Sequence, residues 1–163
     1  MVENNPIAVS EMAEFSTAMN AMNGDMIEKL FAIEEVFKQM PQVEMPVRHC
    51  FGNKVCVREM TAPKGVIIIG KMHKYKQVNI VVKGDISVLT EDGWKRLTAG
   101  EMFESPAGIK RAGFTHEDTV WTTICGTEET DADKAEESLT IGSYQEFLQY
   151  QQGEPTWLLP QQE

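Results

Sequence analysis

The sequence is short of basic residues, of cysteine and of long apolar runs. Fifteen Lys and Arg stand against 25 Asp and Glu, a formal net charge of -10. A surface of that sign gains nothing from releasing phosphate counterions, which disfavours broad contact with nucleic acid or an anionic membrane. A small anion held in a locally basic pocket is not. Three cysteines, Cys50, Cys56 and Cys125, make no paired set, and the five residues between the first two match no common zinc spacing. They read as reduced thiols. No apolar run approaches the roughly 18 residues that span a bilayer, and the polar, acidic start has no charged-then-apolar leader pattern. The expected location is the cytoplasm.

What is present suits one globular domain with appended segments: 163 residues, 42% of them hydrophobic. Residues 1–22, rich in Asn, Ala and Met, read as a loose arm with at most partial helix. In 23–41, Met26, Leu30, Ile33, Phe37 and Met40 recur at helical spacing, giving an amphipathic helix capped by Asn23 or Asp25 and stopped by Pro41. Its apolar face is expected against the outside of the domain or a partner subunit.

From 42 to 127 the character changes. Short runs rich in Val, Ile, Thr and aromatics (54–60, 65–72, 78–83, 86–90, 94–97 and 119–125) are punctuated by Pro63, Gly84-Asp85, Asp92-Gly93, Ala99-Gly100 and Pro106 to Gly108. Such short strands imply a sandwich or barrel, with a hairpin at Glu91-Asp92-Gly93. Residues 128–163 read as an acidic, solvated linker (Glu128, Glu129, Asp131, Asp133, Glu136, Glu137), a short helix opened by the capping box Ser143 to Glu146, and an apolar tail at Trp157-Leu158-Leu159.

Two stretches carry chemistry. In 100–111, Gly100, Pro106 and Gly108 stand in fixed register with Arg111. This resembles the second cupin motif, Gly, five residues, Pro, one residue, Gly, two residues, His, with Arg111 in the His slot. In 65–84, Gly65 and Gly84 match the ends of the first cupin motif; Lys71 and His73 then fill its His pair and Gln77 its Glu. The resemblance implies a mainly all-β fold: a cupin, or jelly-roll, β-barrel with flanking N- and C-terminal helices. It also implies four metal-ligand slots, of which His73 alone keeps a ligand. Arg111 has no lone pair to donate and Lys71 adds a second positive charge. The expectation is therefore no cofactor, with a divalent metal at His73 as the minor alternative; His49 and His116 are further imidazoles, His116 in an exposed turn.

Residues 38–137 are also similar to small cupin-like proteins common in tailed-phage genomes. The carrying segments include Val47-Arg48-His49-Cys50-Phe51, Gly70-Lys71-Met72-His73-Lys74, Leu89-Thr90-Glu91-Asp92-Gly93 and Asp118-Thr119-Val120-Trp121. That similarity implies phage origin and a barrel, in the cytoplasm of an infected bacterial host, and brings no activity. It implies imidazoles at positions 77 and 125, where this chain has Gln77 and Cys125.

Alternate residues of a strand share a face, so Lys71, His73, Tyr75, Gln77 and Asn79 are candidates to line the interior. Arg111 offers a planar fork for carboxylate or phosphate. Arg58, and with it Lys110, is a candidate to lie close by. Trp121 and Tyr75 could stack on a ring, and Thr123 could read a polar edge. The alternative for Arg111 is a structural ion pair with Glu59 or Glu104. The expected activity is non-catalytic binding of a small anionic molecule, in one form the sequestration of a nucleotide-type host immune signal. The alternatives are a cupin enzyme (epimerase-like with His73 as base and Tyr75 as acid, or weakly metal-dependent) and a structural or host-factor-binding protein. A homodimer or higher homo-oligomer is expected throughout.

Overall fold

The structure, a computed structural model, describes residues 7–8 and 12–153; the apolar tail at Trp157-Leu158-Leu159 lies outside them. In chain order the elements are β1 (Ile7–Ala8), α1 (Met12–Ala21), α2 (Met26–Phe37), β2 (Val47–Gly52), β3 (Val55–Ala62), β4 (Val66–Ile69), β5 (Met72–His73), β6 (Gln77–Lys83), β7 (Asp85–Thr90), β8 (Gly93–Thr98), β9 (Met102–Ser105), β10 (Ala112–Thr115), β11 (Thr119–Gly126), α3 (Ala132–Leu139), β12 (Thr140–Ile141) and α4 (Tyr144–Gln152).

The strands form two five-stranded antiparallel sheets, in the orders β1-β4-β10-β7-β8 and β2-β3-β11-β6-β9. The pairing is nested. β7 pairs β8, β6 pairs β9, β4 pairs β10 and β3 pairs β11. That is one long hairpin, its tip at Glu91-Asp92, rolled so that its strands fall into two facing sheets. The contacts β10 to β7 and β11 to β6 close the roll, which is the jelly-roll solution to exposed strand edges. The expected strands are present, the one at 65–72 broken into β4 and β5; β2, β9 and β10 were not among them, since Arg48, Glu104 and Gly113 interrupt their apolar patterns, nor were the two-residue strands β1 and β12.

The motif glycines sit at the corners of the roll. Gly84 joins β6 to β7 at a φ of 92°, where a Cβ would overlap the carbonyl oxygen of Asp118 and stand 2.7 Å from the Cα of Thr119. Both the backbone region and the close approach require glycine. Gly84→Ala is expected to cost about 3 kcal/mol, read as a lowered urea midpoint; an unchanged midpoint would contradict this packing.

The N-terminal helices cover the outer face of the β4-containing sheet. Asp25 caps α2 by accepting from the Glu28 amide at 2.9 Å. Leu30, Ile33 and Phe37 pack on Ile67, Ile69 and Ala112, so the helix face predicted from spacing is met within the chain. The loose arm is corrected in part: residues 12–21 are helix α1, with Phe15 and Met19 buried in the same cluster. Phe15 meets Trp94 edge-to-face at 6.0 Å, and the Trp94 indole donates to Ser16 Oγ at 2.9 Å. Two apolar residues four apart and one hydroxyl suffice to dock the helix, too little to stand out in an Asn- and Ala-rich stretch.

Lys110 points into this helix–sheet layer. It is 1% exposed, pairs with Glu34 at 2.9 Å, donates to the Gly70 carbonyl at 3.1 Å and lies 4.4 Å from the centre of the Phe31 ring.

Candidate functional site

The rolled sheets enclose a cavity of about 150 Å³. Met60, Ile68, Ile86, Val88 and Phe103 make an apolar wall, and the polar groups gather where the two motif stretches meet. Hydrogen bonds bring those stretches together. The Gly108 amide donates to the His73 carbonyl at 2.8 Å, and the Gly70 amide to the Arg111 carbonyl at 2.9 Å. Eight of the nine residues singled out from the sequence line this cavity: Arg58, Lys71, His73, Gln77, Asn79, Arg111, Trp121 and Thr123.

Tyr75 does not. The chain bends at 74–76 between β5 and β6, which breaks the alternation that would have turned Tyr75 inward, and leaves it 39% exposed. Lys110 is likewise absent from the cavity: from the loop before β10 its side chain goes to Glu34 and the Gly70 carbonyl instead. His116 is only partly exposed in its turn: its Nε2 lies 2.7 Å from Ser87 Oγ, away from the cavity. His49 lines the cavity edge.

Arg111 takes neither carboxylate expected for it. Glu59 pairs with Arg48 at 2.7 Å and Glu104 with Lys76. The Arg111 guanidinium reaches Ser105 Oγ and the Leu89 carbonyl at 3.4 Å each, and stands 3.8 Å from exposed Glu91. These contacts are long for a charged donor, which ordinarily closes to about 2.7–2.9 Å.

Burial, then the positive charges of Arg58 and Lys71, push the His73 imidazole down to about 4, so it is neutral at pH 7. The side chain is partly buried and lines the cavity. Cys125 Sγ lies 3.8 Å from His73 Nδ1 and 3.9 Å from Gln77 Oε1. Burial, then the neighbouring Cys56, push the Cys125 thiol up to about 11. Thr123 donates to Asn79 Oδ1 at 2.9 Å and accepts from the Trp121 indole at 3.2 Å. Trp121 also meets Phe103 edge-on at 5.3 Å, so it is wall as much as recognition surface.

These residues do not fit a divalent ion. The donors near His73 are a protonated thiol and an amide. The charges on Arg58 and Lys71 that disfavour a proton on the imidazole would disfavour a dication more strongly. Among the described residues no three His, Cys, Asp or Glu side chains are grouped to hold a metal.

The sequence reading missed the floor of the site. Residues 128–139 are not a purely solvated linker: Asp131 caps α3, and Ala132, Ala135, Glu136 and Leu139 line the cavity. β12 then pairs with β5, setting Thr140 against His73. Glu136 forms an ion pair with Lys71, and neither of its buried oxygens has a hydrogen-bond partner. The available signal was a capping Asp followed by apolar positions 132, 135 and 139 at helical spacing.

The chain order and the motif corners together decide the fold. It is a cupin-type jelly roll. No protein-family model matches the sequence, and no curated protein does. Solved structures are similar to just over half of the chain. KdgF from Halomonas is 17% identical over 59% of this chain and 91% of that one, with a TM-score of 0.48. An RmlC-like cupin from Shewanella frigidimarina is 20% identical over 53% and 79%, at 0.46. The EutQ protein of Clostridium difficile is 11% identical over 52% and 69%, at 0.44. None of the described helices is long and apolar enough to cross a membrane.

The cysteines offer a check on this interior. Cys50 is exposed, whereas Cys56 and Cys125 are buried. Iodoacetamide at pH 7 is expected to modify Cys50 alone in the native protein, and all three sites once unfolded. Rapid native labelling of Cys125, read by peptide mass spectrometry, would contradict its burial.

Proposed function

We propose that this cupin-type barrel is a non-catalytic receptor for a small organic anion with an apolar body. The observation that carries the reading is the cavity's charge. Three cations, Arg58, Lys71 and Arg111, and one carboxylate, Glu136, surround a space otherwise lined by neutral and apolar groups. An incoming carboxylate would take the Lys71 ammonium from Glu136 and the loosely held Arg111 fork, and lay its body against Ile86, Val88 and Phe103.

Size limits the ligand. A cavity of about 150 Å³ has room for a benzene ring, whereas drug-sized ligands occupy pockets of roughly 300–1,000 Å³. Benzoate is therefore a fitting probe. The nucleotide-type host signal suggested by the phage resemblance is larger than this space, and it serves as the second arm of the test. The enzyme alternative is weakened by chemistry. An imidazole that titrates near 4 is a feeble base at neutral pH, a thiol near 11 is a poor nucleophile, and Tyr75 stands outside the cavity.

Calorimetric titration tests this. Benzoate is expected to bind the wild type, and Arg111→Met to weaken it by ~10–100-fold, the worth of one charge-assisted hydrogen bond. Glu91, left behind by that change, is exposed, so the variant should fold. No binding by either benzoate or hexanoate would overturn the reading. Binding of cyclic dinucleotides in preference to both would restore the nucleotide-signal alternative.

A further inference from the structure

Glu136 is a carboxylate where packing asks for none. On α3 it stands among Ala132, Ala135 and Leu139, which line the same cavity, and its side chain is 12% exposed. Both carboxylate oxygens are buried, and among the described residues neither has a hydrogen-bond partner; Lys71 supplies a counter-charge to one of them. An ionised carboxylate offers about four acceptor sites, and a buried charged group left short of donors costs more than a neutral one. A buried ion pair brings no general gain in stability over an apolar pair, so stability does not account for this group. Its polar neighbours do not serve it either. The Thr140 hydroxyl donates to the Glu136 backbone carbonyl at 2.8 Å, and Thr123 donates to Asn79.

We propose that Glu136 is a specificity-determining residue that selects carboxylates carrying an O–H or N–H donor on the adjacent carbon, the 2-hydroxy and 2-amino acids. The inference rests on the small-anion reading of the cavity. A carboxylate that draws Lys71 away from Glu136 sets a second negative charge beside it and strips the Glu136 oxygens of their cation. For a plain carboxylate, part of the binding gain is offset in this way. A donor next to the ligand's carboxylate resolves the conflict. The carboxylate meets Lys71 and Arg111, the donor fills an empty acceptor site on Glu136, and the apolar chain lies on Ile86, Val88 and Phe103. Such charge-assisted hydrogen bonds are roughly twice as strong as neutral ones. The direct contact of Lys71 with Glu136 sets the spacing, so the donor must stand beside the carboxylate and not at the far end of the ligand.

Calorimetric titration of the full chain with hexanoate, 2-hydroxyhexanoate and 2-aminohexanoate tests this, each substituted acid being used as single enantiomers. The three ligands share one chain and differ only beside the carboxylate. One enantiomer of a substituted acid is expected to bind the wild type ~10–100-fold tighter than hexanoate, the worth of a hydrogen bond to a charged group. Whichever of the hydroxyl and the amine gives the larger gain identifies the donor. In Glu136→Leu the preference is expected to vanish, while hexanoate binds no more weakly, because Lys71 is released from its partner. Leucine suits the apolar neighbours Ala135 and Leu139; if that variant misfolds, Glu136→Gln keeps the size, drops the charge and is expected to lose most of the preference. Equal binding of all three acids by the wild type, or a preference that survives in the Glu136 variants, would overturn the proposal and leave the small-anion reading standing. Failure of all three, and of benzoate, would overturn both.

Discussion

Replacing Glu34 by Gln is expected to destabilise the protein by about 3–5 kcal/mol, the usual cost of leaving one member of a buried ion pair alone. Against a typical total stability of about 5–15 kcal/mol, that would leave a large fraction unfolded at moderate temperature. Lys110 is 1% exposed and its ammonium rests on Glu34, the Gly70 carbonyl and the Phe31 ring. Burial lowers its pKa below the usual lysine value even though Glu34 works in the opposite direction. Without Glu34 the choice is between an uncompensated buried charge and a deprotonated amine. The double variant Glu34→Leu, Lys110→Met should recover most of the loss, since an apolar pair of similar volume avoids both desolvation costs. A chemical-denaturation cycle measures the coupling; single variants within 1 kcal/mol of wild type would show that α2 is not anchored through this pair.

The second large effect is on acid stability. Above pH 6.5 the His73 imidazole is neutral in both folded and unfolded chains and contributes no pH dependence. Below that value the unfolded chain takes up its proton first, so stability falls with decreasing pH until the folded imidazole also protonates near pH 4. The span amounts to about 3 kcal/mol. His73→Gln should lack this component: between pH 7 and 4 the wild type is expected to lose about 3 kcal/mol more than the variant. Carboxylates such as Asp85 and Glu59, held below their usual range by Arg96 and Arg48, add a loss at lower pH common to both proteins. Parallel curves would mean that His73 is hydrated and not enclosed.

The parts of the structure legible in the sequence were those set by backbone geometry. Gly84 and the Gly100, Pro106 and Gly108 stretch mark corners that few other residues can make, so their spacing reveals the roll even where the ligands between them have changed. The face of α2 was legible because Met26, Leu30, Ile33 and Phe37 recur over about three turns; Met40, also expected on it, lies beyond the helix and is exposed. What was hidden depends on tertiary contact. Glu136 resembles its solvated neighbours until α3 is laid along the cavity and Lys71 meets it. Tyr75 keeps the right parity in sequence, but a bend at 74–76 removes it. Lys110 and Arg111 are adjacent cations of equal promise in the loop before β10, and only the tertiary fold sends one to Glu34 in the helix layer and the other into the cavity.

The central claim is that Lys71, Arg58 and Arg111 make the barrel interior a site for a small anion beside a neutral His73. Its most direct test is an NMR pH titration of the His73 imidazole, assigned with His73→Gln, with and without saturating benzoate. The account predicts a midpoint near 4 in the free protein and a higher one with benzoate, whose negative charge offsets the cations that hold it down. A free midpoint near 6.5, or one unmoved by benzoate, would contradict it.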